Sequence, residues 1–260
     1  MDQLTAERAH AHYLFALERV AALAPGGAAE RVGPWLCIDA GLGVSKFNIA
    51  AVVEPVGSPR AALREAMAWF AARGINLRLD LRGRADGALL AASMVEGFSF
   101  WWREPAMLLE PLPRHLLEVP ARGVLPVTSD ETLALYCAAD AEEYSDEEFQ
   151  RGMAEQAIRL DGVSLYVAVD EGRPVGRSMA VVRDGLVGVH NVYVAPSQRR
   201  RGFGGALTVA ALQAGHRAGA LAACLEATVD GFPLYESLGF RRFDDYVVVG
   251  VETPPDSWAS

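Results

Sequence analysis

Three consecutive arginines, followed at once by closely spaced glycines, are the residues of this sequence whose types best suit chemistry. The segment comprises Arg199, Arg200, Arg201, Gly202, Phe203, Gly204 and Gly205. A strand-like apolar run precedes it and a helical pattern follows, so the glycines would open a helix whose first N–H groups lack partners. Glycine lets a backbone approach a phosphate closely, and guanidinium groups add charge-assisted hydrogen bonds. The segment therefore predicts a binding site for a pyrophosphate group.

Two other interpretations of this segment stay open. The arginines could simply be solvated surface residues. A Rossmann loop for a nicotinamide cofactor is the second alternative, because Glu226 follows Gly204 at about the spacing of a ribose-binding acid. Against a Rossmann loop, residues 195–201 separate the strand from the glycines, and Leu207 occupies the position of the third glycine.

The elements that must position this segment can be predicted on both sides of it. Strand-like runs separated by turn residues predict strands, and the dipeptide Asp184-Gly185 predicts a tight hairpin. The second half should contain strands over 165–169, 175–182 and 186–194, a helix over 202–218, a strand over 221–228, a short helix over 233–238 and a strand over 246–251. We expect the first three strands to form an antiparallel meander.

The first half of the chain repeats part of this order. It should contain a helix over 1–23, a strand over 47–53, a helix over 60–73, a strand over 75–81 and a helix over 87–96. Both halves reach a Gly-Phe pair, at Gly97 and Gly239, which indicates an internal duplication. Frequent prolines between residues 110 and 126 exclude a helix and mark a boundary. We predict an α/β protein with domains over 1–120 and 121–260.

The composition of the chain argues against several classes of function. The chain of 260 residues has a formal net charge of −9, which argues against nucleic-acid binding. Cys37, Cys137 and Cys224 lack the spacing of metal ligands or a disulfide framework, so we expect no metal. Charges run through the first helix, and no uncharged apolar run approaches the ~18 residues of a membrane span. We expect a cytoplasmic protein without a membrane partner, and the sequence predicts no oligomeric state.

Two motifs in this order resemble those of the GNAT superfamily of N-acetyltransferases. Arg199-x-x-Gly202-x-Gly204 is similar to the family's Q/R-x-x-G-x-G/A signature, and residues 230–240, DGFPLYESLGF, are similar to its C-terminal motif. The first half resembles the degenerate partner domain of tandem GNAT proteins, because Gly57-Ser58-Pro59 stands where the signature would be. The resemblance implies two GNAT-like mixed-sheet α/β domains in tandem, the C-terminal one carrying the acetyl-CoA motif.

The resemblance also implies which residues bind acetyl-CoA. The segment from Arg199 to Gly205 would bind the pyrophosphate of the coenzyme. The main chain of Val192, Tyr193 and Val194 would bind its pantetheine arm and acetyl carbonyl, where this strand splays from its neighbour.

Two side chains are candidates for proton transfer. Tyr235 stands where the family often has a tyrosine near the thioester sulfur, and a phenol can protonate a departing thiolate as general acid. Gly188 replaces the glutamate that some members use as base, and His190 lies two residues further on the same face of the strand. We expect His190 to act as the base, with Glu226 as a second candidate.

Together these features predict an N-acetyltransferase that moves acetyl from acetyl-CoA to a primary amine by direct attack. The acceptor would be a small molecule or a protein amine. The alternative is a noncatalytic acyl-CoA-binding protein with a regulatory or sensor role.

Overall fold

A computed structural model describes residues 3–21, 26–41, 48–139 and 147–251. The elements in chain order are α1 (Gln3–Ala21), β1 (Ala28–Val32), β2 (Trp35–Asp39), β3 (Ile49–Val52), α2 (Pro59–Ala71), β4 (Arg78–Arg82), α3 (Gly87–Val95), β5 (Ser99–Leu109), α4 (Arg114–Glu118), β6 (Val124–Pro126), α5 (Asp130–Ala138), α6 (Glu147–Ala157), β7 (Val163–Asp170), β8 (Arg173–Arg183), β9 (Leu186–Val194), a 3-10 turn (Pro196–Gln198), α7 (Phe203–Arg217), β10 (Ala222–Glu226), α8 (Phe232–Ser237) and β11 (Arg241–Gly250).

The chain divides into two compact units that do not follow a single cut in the sequence. The first unit comprises Met1–Met107, Glu226–Phe232 and Arg242–Ser260, and the second comprises Leu108–Leu225 and Pro233–Arg241. Residues 242–251 thus belong to the first unit. The boundary at residue 120, between domains 1–120 and 121–260, stays a prediction.

The first unit is built on a mixed sheet with the strand order β1-β2-β3-β4-β11-β5. Strand β3 runs parallel to β4 after the crossover through α2, whereas β11 pairs with β4 in the antiparallel sense. One face of the sheet packs a core around Trp35, Phe70 and Leu79, and the other packs Tyr13 of α1 against Ile38 and neighbouring residues. The strand predicted over 47–53 corresponds to β3, and residue 47 lies outside the described residues.

The second unit has the strand order β10-β9-β8-β7-β6, and its sheet is also mixed. Strands β7, β8 and β9 form the predicted antiparallel meander. Strand β10 runs parallel to β9 after the crossover through α7, which packs on β8 and β9. Each unit therefore contains three antiparallel strands, a crossover helix and a parallel strand, and the predicted mixed-sheet α/β class is confirmed.

The proline-rich stretch contains a helix, although its prolines were expected to exclude one. Helix α4 fits between Pro113, which precedes its first residue, and Pro120. Proline is tolerated at a helix start because the N–H that it lacks has no partner there. At the other end, Gln213 Nε2 of α7 donates hydrogen bonds to the carbonyl oxygens of Leu116 and Val119. A helix of one turn is thus compatible with this proline density.

The described residues include no helix that combines the length and the apolar character needed to cross a membrane. Cys37, Cys137 and Cys224 are all buried free thiols. Burial raises the pKa of the Cys37 thiol to about 12. Within the described ranges, no group of three or more histidine, cysteine, aspartate or glutamate residues is placed to hold a metal ion.

Candidate functional site

The arginine-glycine segment connects β9 to α7 through a tight turn. Arg200 and Gly202 both have positive φ, at 64° and 90°, and Gly202 is the residue that precedes α7. The first helical hydrogen bond runs from Ala206 N to Gly202 O at 3.0 Å. The N–H groups of the three residues between them, Phe203 to Gly205, therefore have no acceptor within the helix. This is the backbone arrangement that binds an anion at a helix N-terminus.

The two glycines of the first helical turn differ in what surrounds them. A β-carbon at Gly204 would lie 3.0 Å from Leu234 Cδ2 and 3.8 Å from Val194 Cγ2, so close packing also favours glycine there. A β-carbon at Gly205 would lie at an ordinary 3.7 Å from Leu234 Cδ1. Helix α8, which contains Leu234, thus packs against the start of α7.

The three arginines have different surroundings. Arg199 Nε donates to Val194 O at 3.2 Å, which ties the loop to the end of β9. Arg201 Nη1 donates to Asp170 Oδ2 at 2.7 Å and to Gln198 Oε1, and its guanidinium lies 5.4 Å from the centroid of the Phe203 ring. Arg200 is exposed and makes no ion pair within the described ranges. The loop therefore uses two arginines to hold its shape and leaves the Arg200 guanidinium in solvent.

Strand β9 is irregular where it approaches this loop. Its pairing with β8 shifts register, because Arg177 lies opposite Tyr193 while Met179 lies opposite His190. One residue of β8 thus faces Asn191 and Val192, which is the arrangement of a β-bulge. Asn191 has a φ of 51°. Asparagine is among the few residues other than glycine that adopt this region readily.

The two sides of β9 are paired over different lengths. The parallel pairs with β10 end at Cys224 and Gly188, whereas β9 continues to Val194. On the other side, Gly176 and Arg177 of β8 remain opposite Val194 and Tyr193. The main chain of residues 189–194 thus extends beyond its pairing with β10. A main chain without a strand beside it can hydrogen-bond an extended ligand.

The two predicted proton-transfer side chains lie on different elements of the second unit. His190 is half-buried on β9, directly before the bulge. Tyr235 is buried in α8, where its ring meets Phe240 edge to face with the centroids 5.9 Å apart. Its neighbour in sequence, Leu234, lies against the start of α7, so Tyr235 directly follows a residue that packs on the glycine segment.

Glu226, the second candidate base, closes β10 and is half-buried. Burial, reinforced by the negative charges of Glu104 and Asp80, raises the pKa of Glu226 to about 8. A carboxyl group with this pKa changes protonation state near neutral pH, which a general base requires.

The charges around Glu226 continue along one face of β4. Arg78 and Asp80 are buried and share two hydrogen bonds, Nε to Oδ1 at 2.5 Å and Nη2 to Oδ2 at 2.8 Å. Tyr13 of α1 donates to Asp80 Oδ2 at 2.5 Å, and Arg78 Nη2 lies 3.7 Å from Glu104 Oε2. The neighbouring leucines of β4 point into the opposite core. The sequence signal was the alternation of charged and leucine residues over 78–82, which predicted the strand but not its charged face.

Comparisons with known proteins agree with this architecture. Residues 161–242 match the family model described as "Acetyltransferase (GNAT) domain". No match is found among curated proteins. A GCN5-related N-acetyltransferase from Kribbella flavida has a similar structure, with a TM-score of 0.69 and 23% identity over 92% of this chain and 94% of that one.

Two further solved structures show the same fold at lower identity. A GCN5-related N-acetyltransferase from Sphaerobacter thermophilus has a TM-score of 0.60 and 17% identity over 80% of this chain and 75% of that one. A tandem GNAT protein from the clavulanic acid biosynthesis pathway has a TM-score of 0.62 and 18% identity over 92% of this chain and 88% of that one. The GNAT-like fold predicted for both halves is confirmed. Residues 161–242 therefore match a GNAT acetyltransferase domain, within a chain whose mixed α/β fold is that of GNAT proteins.

Proposed function

We propose that this protein is an acetyl-CoA-dependent N-acetyltransferase, with the coenzyme bound along β9 and at the start of α7. The observation that carries the proposal is the continuation of β9 beyond Gly188, its last residue paired with β10. That strand leads directly into a helix whose first N–H groups have no helical acceptor.

The coenzyme would use main-chain groups more than side chains. The N–H groups of Phe203, Gly204 and Gly205 would bind its pyrophosphate, with the solvated Arg200 as the added positive charge. Arg199 and Arg201 would support the loop through Val194 O and Asp170. The main chain of Val192, Tyr193 and Val194 would bind the pantetheine arm and polarise the acetyl carbonyl, with the bulge at Asn191 directing the donors.

The reaction would be a direct transfer. The nitrogen of a neutral primary amine attacks the thioester carbonyl, so that the C–N bond forms and the C–S bond breaks. A base takes one proton from the attacking amine, and Tyr235 gives one to the departing thiolate. We assign the base to His190, with Glu226 as the alternative, and the acceptor to the class of small-molecule or protein amines.

Thermal unfolding with increasing acetyl-CoA tests the binding site. A ligand at 100 times its dissociation constant adds about 2.7 kcal/mol to stability, which raises the melting temperature of a chain of this size by about 5–10 °C. The variant Gly205→Asp should abolish this shift, because a carboxylate at the helix start repels a pyrophosphate, while its β-carbon fits at 3.7 Å from Leu234. The matched control is Gly87→Asp, which puts the same charge at the start of α3 with no atom within 4 Å of the β-carbon. A wild-type protein without a shift, or equal shifts in both variants, would contradict the proposed site.

Kinetics of the variant Tyr235→Phe test the general acid. Phenylalanine keeps the ring packing on Phe240 but removes the hydroxyl group. We expect kcat to fall about 10²–10⁴-fold, the usual contribution of a positioned acid, with unchanged affinity for acetyl-CoA. An unchanged kcat would assign Tyr235 to packing alone. Acetyl-CoA binding without acetylation of any amine in a broad panel would favour the noncatalytic acyl-CoA-binding role.

The base can be identified from the pH dependence of kcat/KM. The variants His190→Gln and Glu226→Gln each remove one titrating group while keeping a similar shape. The variant that lacks the base should lose the acidic limb of the profile, whereas the other should keep it. Loss of the limb in neither variant would contradict both assignments.

A further inference from the structure

Glu104 of β5 and Glu226 at the end of β10 are two acids of the first unit that lie on one face of neighbouring segments. Ala227 N donates a hydrogen bond to Pro105 O at 2.9 Å, so these two residues lie side by side. Side chains alternate between the two faces of an extended chain, so the residues directly before this pair, Glu104 and Glu226, point to the same face. Long side chains can meet across neighbouring strands in this way.

The carboxylate of Glu104 is held at both of its oxygens. Oε1 accepts a hydrogen bond from Trp102 Nε1 at 2.8 Å, and Oε2 lies 3.7 Å from Arg78 Nη2. The Arg78 guanidinium also lies 5.1 Å from the centroid of the Trp102 ring, so the three side chains form one cluster. A hydrogen-bond donor and a positive charge both favour the ionised form of a carboxyl group.

Glu226 has surroundings of the opposite kind. Burial, together with the negative charges of Glu104 and Asp80, raises the pKa of Glu226 to about 8, although a hydrogen bond from its own backbone N–H lowers it. The other titratable or charged side chains of this cluster are Arg78, which bonds Asp80 twice, and Tyr13 of α1, which donates to Asp80. The two ionised acids next to Glu226 thus outnumber the one arginine.

We infer that Glu104 and Glu226 form a carboxyl pair in which Glu104 stays ionised and Glu226 holds the proton, so that Glu104 is a positioning residue for Glu226. Two carboxylates on one face repel each other when both ionise, and the proton goes to the one whose charge is less stabilised. The charge of Glu104 then sets the pH at which Glu226 can accept a proton. The use of Glu226 by an attacking amine rests on the proposed function, whereas the pairing of the two acids does not.

Titration of the Glu226 carboxyl in the full chain, without acetyl-CoA, tests the pair. Nuclear magnetic resonance of isotope-labelled glutamate carboxyl carbons follows each group, and the signal that Glu226→Gln removes identifies Glu226. We expect a midpoint near pH 8 in the wild type and a midpoint lower by about one pH unit or more in Glu104→Gln, which is about a tenfold loss of proton affinity. Glutamine keeps the shape of glutamate and an oxygen for Trp102 Nε1, so the variant should fold normally.

Two further variants separate the charge of Glu104 from its packing. Glu104→Asp keeps the charge, so its Glu226 midpoint should lie above that of Glu104→Gln. Glu65→Gln is the control, because it removes the same charge from an exposed position on α2, which packs on the opposite face of the sheet. A wild-type midpoint in Glu104→Gln, equal midpoints in its Asp and Gln variants, or an equal decrease in Glu65→Gln would overturn the inference.

Kinetics distinguish a failure of the pair from a failure of the proposed function. If Glu226 is the base, the acidic limb of the kcat/KM profile should move to lower pH in Glu104→Gln by as much as the Glu226 midpoint does. A midpoint that moves while the limb stays would support the pair and refute Glu226 as the base. If the protein acetylates no amine, the titration alone still decides whether the pair exists.

Discussion

Replacing Gly176 by alanine would place one methyl group against the strand that we propose binds acetyl-CoA. Gly176 lies on β8 opposite Val194. A β-carbon there would lie 2.5 Å from the carbonyl oxygen of Tyr193 and 3.1 Å from Leu207 Cδ1. Ordinary contacts begin at 3.4 Å, so β8 and β9 must separate by about 0.9 Å. The displaced carbonyl belongs to one of the three residues assigned to the pantetheine arm.

The energetic consequence follows from two opposing effects. Overpacking destabilises the folded state by about 1–3 kcal/mol. Alanine also has less backbone freedom than glycine in the unfolded chain, which stabilises the protein by about 0.4–1 kcal/mol. The net destabilisation of about 1–2 kcal/mol should lower the melting temperature by about 2–8 °C. A comparable loss in the binding free energy of acetyl-CoA would weaken its affinity about tenfold.

Thermal unfolding with and without acetyl-CoA measures both effects in one experiment. The control is Gly87→Ala, because a β-carbon at the start of α3 meets no atom within 4 Å. That variant should match or slightly exceed wild-type stability, since alanine favours helices. If Gly176→Ala unfolds at the wild-type temperature and binds acetyl-CoA with wild-type affinity, the close approach of β8 to Tyr193 is refuted.

Three further predictions concern other residues. Gly215→Ala should lower the free energy of unfolding by about 1–3 kcal/mol, although alanine favours helices, because its β-carbon would overlap Val187. Chemical denaturation measures this, with Gly205→Ala as the control because a β-carbon at Gly205 makes only ordinary contacts. Asn191→Val should weaken acetyl-CoA binding while Asn191→Gly retains it, because a β-branched residue is strained at a φ of 51°; calorimetry compares the two. Burial raises the pKa of Glu226 to about 8, so the folded state binds a proton that the unfolded state releases, and stability should fall between about pH 4.5 and 8. Glu226→Gln should reduce this fall by about 1 kcal/mol or more after solvent screening, and an unchanged pH dependence of unfolding would contradict the burial of Glu226.

The meander and crossover helix of the second unit could be predicted because local patterns specify them. Asp184-Gly185 marks the hairpin, and Asp184 and Gly185 both have positive φ in the structure. The strands on either side pair in the antiparallel sense, as expected. Because a hairpin depends on residues that are close in sequence, a short segment of the sequence is enough to predict it.

Other features could not be predicted because they depend on partners far away in sequence. The bulge at Asn191 arises from the register between β8 and β9, which no single strand encodes. Helix α4 was missed because Gln213, nearly a hundred residues later, binds its carbonyl groups. The charged face of β4 was missed because a face that packs Tyr13 of α1 has the same alternation as one exposed to water.

Strand β11 has a consequence for how the chain is synthesised. It lies beside β4 through pairs such as Tyr246 with Arg82, so the sheet of the first unit requires residues that are translated long after β4. Until those residues leave the ribosome, β4 presents an unpaired edge of the kind that invites aggregation. A fragment that ends near residue 120 would keep that edge permanently, whereas supplying residues 241–250 as a separate peptide should restore its missing neighbour.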